Sequence, residues 1–398
     1  MTLKIEEPVD NKNGKSFALF ALGFRPFFLL AAISAFVLII IWISLLSGKI
    51  TLSSYYSSAG WHAHEMLFAY TSAVIAGFLL AAVGNWTGIK MINGWQLLLL
   101  SAVFIVARFA PFIPELSYWF IAVSDLIFLP LVALIIAIPV IKAKQWSNII
   151  FVPLLLLMAT ANLFVHLSAL GLVDISIVTG SRAMLYLVVF LIAVMGGRVI
   201  PFFTERGVAG VTTTKWNWIE RLTPFSIILL LISDLFFGSL DVTGYVALFA
   251  AIINGIRLYG WYSNKIWNVP LVWILHIAYA WFIVGFIIKS LVIFNMQESI
   301  FSYHALTVGG IGIMTLGMMA RVSLGHTGRD MVLNKTMLFS FFLINIAAVV
   351  RVIVPMLMPE SYLQLILISG WLWAAAFLLF LIVYTPMWIY SRVDGREG

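Results

Sequence analysis

Apolar runs separated by short polar breaks recur along almost the whole chain. A membrane-crossing helix needs roughly 20 mostly apolar residues. Twelve stretches answer that description: 27–46, 61–84, 95–110, 118–141, 149–170, 181–203, 219–238, 243–261, 268–292, 301–321, 336–357 and 363–389. The third is the shortest. The breaks leave no room for an attached soluble domain, and Met1 to Ser16 is polar, without the apolar core of a signal peptide. The pattern predicts an all-α, polytopic membrane bundle, one domain over 1–398. It divides into an N-terminal segment 1–26, twelve helices over 27–389 and a tail 390–398.

Composition agrees. Of 398 residues, 63% are hydrophobic and 10% charged, and mean hydropathy is +1.08. A soluble domain is closer to half apolar and a quarter charged, so a water-soluble globule is excluded. The net charge of +7 looks like a nucleic-acid binder's. In a membrane chain the excess reports orientation instead, and no nucleic-acid partner is expected. With the N-terminus taken as cytoplasmic, fifteen Lys and Arg fall on the inner side, from Lys4 to Arg396. Only Lys49 falls outside, beside Glu115, Asp174, Asp241, Glu298 and Glu360. That asymmetry predicts both termini inside. Cysteine is absent, which excludes disulfides, thiolate metal sites, Fe–S clusters and covalent CxxCH haem attachment.

Ionisable residues inside a bilayer are expensive and usually functional. Arg108, Lys289 and Arg351 fall near the outer ends of their spans, and Arg182 near an outer start. Glu65, Asp125 and Asp234 share that outer third. Arg198, Arg257 and Arg321 sit at inner ends, where Glu220 is the one nearby acid. The outer cations read either as snorkelling anchors or as partners for haem propionates. Arg198 and Arg321, with Arg25, His326 and Arg329, read as inner-side anchoring or as a site for an anion, a quinone headgroup or a propionate.

Of six histidines, His62, His64, His166 and His304 fall at one outer depth on three helices. His276 lies about a third of the way up its span, and His326 in an inner loop. Imidazole is the common protein ligand for haem iron, copper and zinc. In His62-Ala63-His64 the two rings point to nearly opposite sides of a helix, about 200° apart. One ion can hardly take both, but two neighbouring sites can take one each. Glu65 and Met66 follow on the His62 face, and Glu65 is a candidate to orient a ligand or carry a proton.

Several longer motifs resemble the NnrS family of haem- and copper-containing membrane proteins of nitric oxide metabolism. They are Gly23-Phe24-Arg25-Pro26-Phe27-Phe28, Trp61-His62-Ala63-His64-Glu65-Met66, Asn85-Trp86-Thr87-Gly88, and Gly196-Gly197-Arg198-Val199-Ile200-Pro201-Phe202-Phe203. His304-Ala305-Leu306-Thr307-Val308-Gly309-Gly310 and Leu324-Gly325-His326-Thr327-Gly328-Arg329 complete the set. Gly84 stands where the family pattern has proline. The resemblance implies haem, of b type, and copper or a second metal. It also implies a role against nitrosative stress or in denitrification in a bacterial inner membrane.

On that resemblance the expected chemistry is reduction of two NO to N2O. His62, His64, His166 and His304 would be ligands, with His276 as a fifth. Arg108 and Arg182 are first choices for propionates, and Glu65 for the proton. Quinol or a small external cytochrome would supply electrons. The scarcity of inner acids predicts proton uptake from the outer side without pumping. Three alternatives stand beside this: a twelve-helix secondary transporter, a haem protein that binds NO without turnover, and a member of the haem–copper oxidase superfamily. The last is short of a ligand, because His326 falls on the wrong side. The oligomeric state is left open by the sequence.

Overall fold

The computed structural model describes residues 16–51, 55–238, 240–294 and 299–396. Lys4, Lys12, Lys15 and Glu298, which entered the charge asymmetry, lie outside them. Among the described residues eleven helices are long and apolar enough to cross a membrane. In chain order they are α1 (Phe24–Leu46), α2 (Ser58–Thr87), α3 (Trp95–Phe112), α4 (Tyr118–Lys142), α5 (Trp146–Ala169), α6 (Ile177–Gly207), α8 (Asp241–Trp261), α9 (Pro270–Phe294), α10 (Ile300–His326), α11 (Lys335–Leu357) and α12 (Pro359–Ile389). The remaining long helix, α7 (Asn217–Phe236), falls short on charge rather than length. Any eighteen consecutive residues of it contain Glu220, Arg221 and Asp234.

The two ends of the described chain show that α7 also crosses. Phe17 and Tyr390 form an antiparallel bridge. The Ala18 amide donates to the Ile389 carbonyl at 2.7 Å, and the Ser391 amide to Ser16 at 3.0 Å. Both ends therefore lie on one face, and an even number of crossings must separate them. Buried Arg25 locks this junction. Its Nη1 donates to the carbonyls of Met387, Trp388 and Tyr390 at the end of α12, where helix carbonyls run out of intrahelical partners.

The helices form three arcs of four. Neighbours pack in the orders α11–α12–α1–α2, α3–α4–α5–α6 and α7–α8–α9–α10. The last helix of each arc, α2, α6 or α10, turns to the middle and touches the other two. These three and α9 are the most buried helices, while the others turn more than half their residues outward. The central contact surrounds an apolar cavity of about 60 Å3 lined by residues such as Val74, Phe78, Leu191, Met195, Met314 and Met318. No histidine reaches it. The Tyr70 hydroxyl bonded to Thr315 ties α2 to α10 above it.

Local signals set the helix ends. Ser57, Ser117 and Ser176 cap α2, α4 and α6 by accepting from backbone amides of the first turn. Trp281 and Phe282 of α9 lie directly against Gly309 and Gly310, so the thin face of α10 serves close helix packing. Two features have no simple sequence signature. In α2 the residues Glu65–Thr71, and in α10 the residues Ala305–Gly312, wind as π-helix. Each segment begins immediately after a histidine, His64 and His304. π-Segments are rare and concentrate at functional sites.

Candidate metal centre and the outer polar clusters

Three polar clusters lie at the face opposite the chain ends, each where the last helix of one arc meets the next arc. The first is enclosed by α2, α3, α4 and α5. His64 of α2, Asp125 of α4 and His166 of α5 are all buried, and one ligand atom from each lies within 4.8 Å of the others. His64 Nε2 is 3.1 Å from Asp125 Oδ2, and His166 Nε2 is 3.0 Å from the same oxygen. Asn162 donates from Nδ2 to Asp125 Oδ2 at 2.6 Å and brings Oδ1 to 3.1 Å from His64 Nε2.

The far nitrogen of each ring is also engaged. His64 Nδ1 is 2.9 Å from Glu65 Oε1, and His166 Nδ1 pairs with the Tyr55 hydroxyl at 2.8 Å. Tyr55 and Tyr56 belong to the segment between α1 and α2, and Tyr56 stacks on His64. Burial pushes both phenols up from their ordinary range, so they remain O–H groups. Arg108 of α3 completes the cluster. Its Nη1 donates to Glu65 at 2.9 and 3.0 Å, and its Nη2 pairs with Asp125.

The charge sum decides what this site suits. With neutral imidazoles, two carboxylates face one guanidinium and leave −1 in a buried setting. A neutral imidazole that gives its one proton to Glu65 aims the Nε2 lone pair of His64 at Asp125 Oδ2 and Asn162 Oδ1. Converging lone pairs with a negative excess are the donor set of a cation. Nitrogen and oxygen donors without thiolate suit copper, zinc or iron. Carboxylate and phenol partners on the outer ring nitrogens are the usual support of metal-bound histidine.

The second cluster, between α6, α7, α9 and α10, has no histidine. Asp234 of α7 is fully buried and ion-paired with Lys289 of α9. Arg182 of α6 stands 3.9 Å from the same carboxylate, and the Tyr303 hydroxyl donates to it at 2.9 Å. The third lies between α1, α2, α10 and α11. His62 stacks on Trp42 of α1 at 4.3 Å, 10° from parallel. His304 Nδ1 donates to the Ile300 carbonyl at 2.7 Å, and Arg351 Nη2 donates to His304 Nε2 at 2.9 Å.

The outer histidines thus fall into two pairs: His64 with His166, and His62 with His304. Ala63 alone separates the pairs along α2. His276 joins neither, because both its ring nitrogens face backbone carbonyls, of Val272 at 3.1 Å and Trp261 at 3.4 Å. Arg198 donates to Asn148 and the Ser147 carbonyl, and Arg321 lies over the Phe203 ring at 3.9 Å. Both sit at the ends of α6 and α10 nearest the chain ends, far from the three clusters. Glu65 lies in the first cluster as the partner of Arg108 and His64. Asn162 and the two tyrosines were not among the sequence candidates. Asn162 stands four residues before His166, on the same helical face, a spacing that points to it. Nothing in the local pattern marks Tyr55 and Tyr56.

No curated protein gives a significant match to the chain. A family match does, to the NnrS protein family over residues 18–392, nearly the full length. The chain belongs to the NnrS family, and is a nitric-oxide-related, multi-pass membrane protein.

Proposed function

We propose that this protein removes nitric oxide in a bacterial inner membrane by reducing it at the His64–Asp125–His166 centre, near the periplasmic face. The observation that carries the reading is the charge and donor set of that buried cluster: three converging ligand atoms and an uncompensated −1. The overall change is two NO, two electrons and two protons to N2O and water. A bound copper or other redox metal would supply one-electron chemistry and a position for nitrogen. In this reading the electrons come from membrane quinol or a small cytochrome.

The protein's own groups have separable parts. His64, Asp125 and His166 hold the cation. Asn162 and Tyr55 fix the orientation of Asp125 and His166. Arg108 keeps two carboxylates together that would otherwise repel. Glu65, adjoining His64, is the residue nearest to hand for a proton. Supply from the outer side is favoured by the lack, among the described residues, of an acid relay on the other. There Glu220 is bound by Arg257, and Glu205 by Thr213. The orientation, with both chain ends cytoplasmic, rests on the positive-charge asymmetry.

One observation favours a second reading, NO binding without turnover. Glu65 has both oxygens on Arg108 and one also on His64, which leaves little freedom to deliver a proton. Metal analysis of the purified protein, with NO consumption under quinol, separates the two. Stoichiometric metal with turnover supports reduction, and metal with one-time NO uptake supports binding. A protein that keeps full metal content in His64→Ala and His166→Ala sinks both.

A further inference from the structure

The contact of α2, α6 and α10 leaves a cavity of about 60 Å3 at the centre of the bundle. Protein interiors pack closely, and voids larger than a water molecule are few. This one is several times the ~10–15 Å3 that a water needs. Buried Val74, Val188, Leu191, Met195 and Met314 are among its walls. With no histidine, carboxylate or amide side chain lining it, it offers no ligand to a metal or a haem iron.

Thr71 and Thr315 are the two polar side chains that line it. Thr71 Oγ1 donates to the Met66 carbonyl at 2.8 Å. Thr315 Oγ1 donates to the Ile311 carbonyl at 2.7 Å and is also bonded to the Tyr70 hydroxyl. Both protons are spent within their own helices, so neither hydroxyl donates into the cavity. A buried water needs two to four polar partners, and this lining does not supply them. An apolar cavity of this kind stays dry and accepts apolar guests such as xenon.

Size and access narrow the guest. The lining residues nearest the chain ends, Phe78, Val199 and Met318, are half-buried, which gives a way in from that side. At the opposite end the Tyr70–Thr315 bond ties α2 to α10. The space is too small for a quinone with its tail or for a length of acyl chain. The thioethers of Met195, Met314 and Met318 are polarisable and adapt to a small guest. Nitric oxide is diatomic, uncharged and a poor hydrogen-bond acceptor, so it prefers hydrocarbon to water. It is also the molecule to which the family is tied.

We infer that the cavity where α2, α6 and α10 meet is a binding site for a small apolar gas, nitric oxide in this protein, separate from the metal centre. The identity of the gas rests on the nitric oxide reading, whereas the dry, gas-sized site does not. α2 is a wall of both sites. Its His64 meets Asp125 and His166 on one side, and its Thr71, Val74 and Phe78 line the cavity with α1, α6 and α10 on another. Nitric oxide taken from the bilayer is held one helix away from the proposed centre of reduction, and that reaction consumes two molecules of it.

The test uses crystals of the full-length protein under xenon, with anomalous scattering to locate the gas, and infrared spectra of the same protein under nitric oxide. Wild type is expected to show one xenon peak among Val74, Val188, Leu191, Met195, Met314 and Met318. Val188→Phe fills the space and should abolish the peak. Met318→Trp, at the half-buried end, should do the same with less crowding of the core. Leu191→Ala enlarges the space and should raise xenon occupancy. Under nitric oxide, wild type should show the N–O stretch of an unliganded molecule, distinct from a metal nitrosyl, and Val188→Phe or Met318→Trp should lose it. Asp125→Asn should keep both the xenon peak and that band. No xenon in wild type, xenon unchanged in both filled variants, or hydrocarbon density occupying the cavity overturns the site. Xenon without the unliganded N–O band overturns the assignment to nitric oxide. Xenon and that band in a protein that does not reduce nitric oxide leave the cavity standing and sink only the reduction.

Discussion

Asp125 serves four side chains at once: one oxygen serves His64, His166 and Asn162, and the other serves Arg108. Asp125→Asn keeps the shape and removes the charge, so the cluster goes from −1 to neutral. Metal content should fall to near zero in Asp125→Asn, by elemental analysis, while the protein remains folded. Tyr55→Phe removes only the support behind His166 and should weaken metal affinity about 10-fold, measured by chelator competition. Arg108→Met strands two buried carboxylates. It should cost about 3–5 kcal/mol, read as a lowered melting temperature in the same detergent, and a bound divalent cation should recover part of the loss. In the sequence, His64, His166, Glu65 and Arg108 stand out because charge and imidazole are rare in apolar runs. Asp125 appeared there only as an outer acid, because its convergence with His64 depends on α4 packing against α2, a contact 61 residues away in sequence. Tyr55 and Tyr56 look like ordinary interfacial aromatics.

Helices were the most legible elements, because an apolar run of membrane length leaves the backbone few alternatives. Their irregularities were not. The π-segments of α2 and α10 contain no proline, and the sequence around His64 gives no warning of one. α7 shows the opposite failure, since its three charges depress its hydropathy although two of them are neutralised inside the bundle. Glu220 is paired with Arg257 of α8 and Asp234 with Lys289 of α9. Gly197 of α6 belongs to the same arrangement. A Cβ there would collide with the Arg257 guanidinium and reach 2.7 Å from Glu220. That guanidinium is also fixed by the Ala193 carbonyl and Tyr279 and cannot step aside. Gly197→Ala should therefore destabilise the bundle by about 1–3 kcal/mol, visible as a lower melting temperature. Gly255→Ala, with open space around it, should not. The tail is held to α10 by Arg392 and the Val393 amide, which donate to the His326 and Thr327 carbonyls, and is folded on itself by exposed Asp394, which the bonded Arg392 holds down to about 2. A depressed carboxylate stabilises above its ordinary range and loses that contribution as pH falls. Mobility of a spin label at Arg396→Cys should rise as pH drops from the ordinary carboxylate range through about 2.

Charge sorts the whole molecule in two directions at once. Along the membrane normal, each junction between arcs carries a buried polar cluster on the face away from the chain ends. Around the bundle, the clusters differ in sign: the metal centre is negative, and the Asp234 and Arg351 clusters are positive. The depth was legible in the sequence, because alternate helices reverse direction and the ionisable residues fall at alternating ends. The division into three was not, because it depends on α2, α6 and α10 meeting in the middle. The proposed placement of the clusters at the periplasm rests on the asymmetry of lysine and arginine in the loops, and the absence of cysteine makes that proposal directly testable. A single cysteine in place of Lys49, in the loop between α1 and α2, is on the clusters' side. One in place of Lys265, between α8 and α9, is on the side of the chain ends. In intact spheroplasts a membrane-impermeant maleimide should label Lys49→Cys fully and Lys265→Cys only after permeabilisation. The reverse result would put the metal centre at the cytoplasmic face. It would also turn the positive-charge rule against this chain, and with it the outer route for protons.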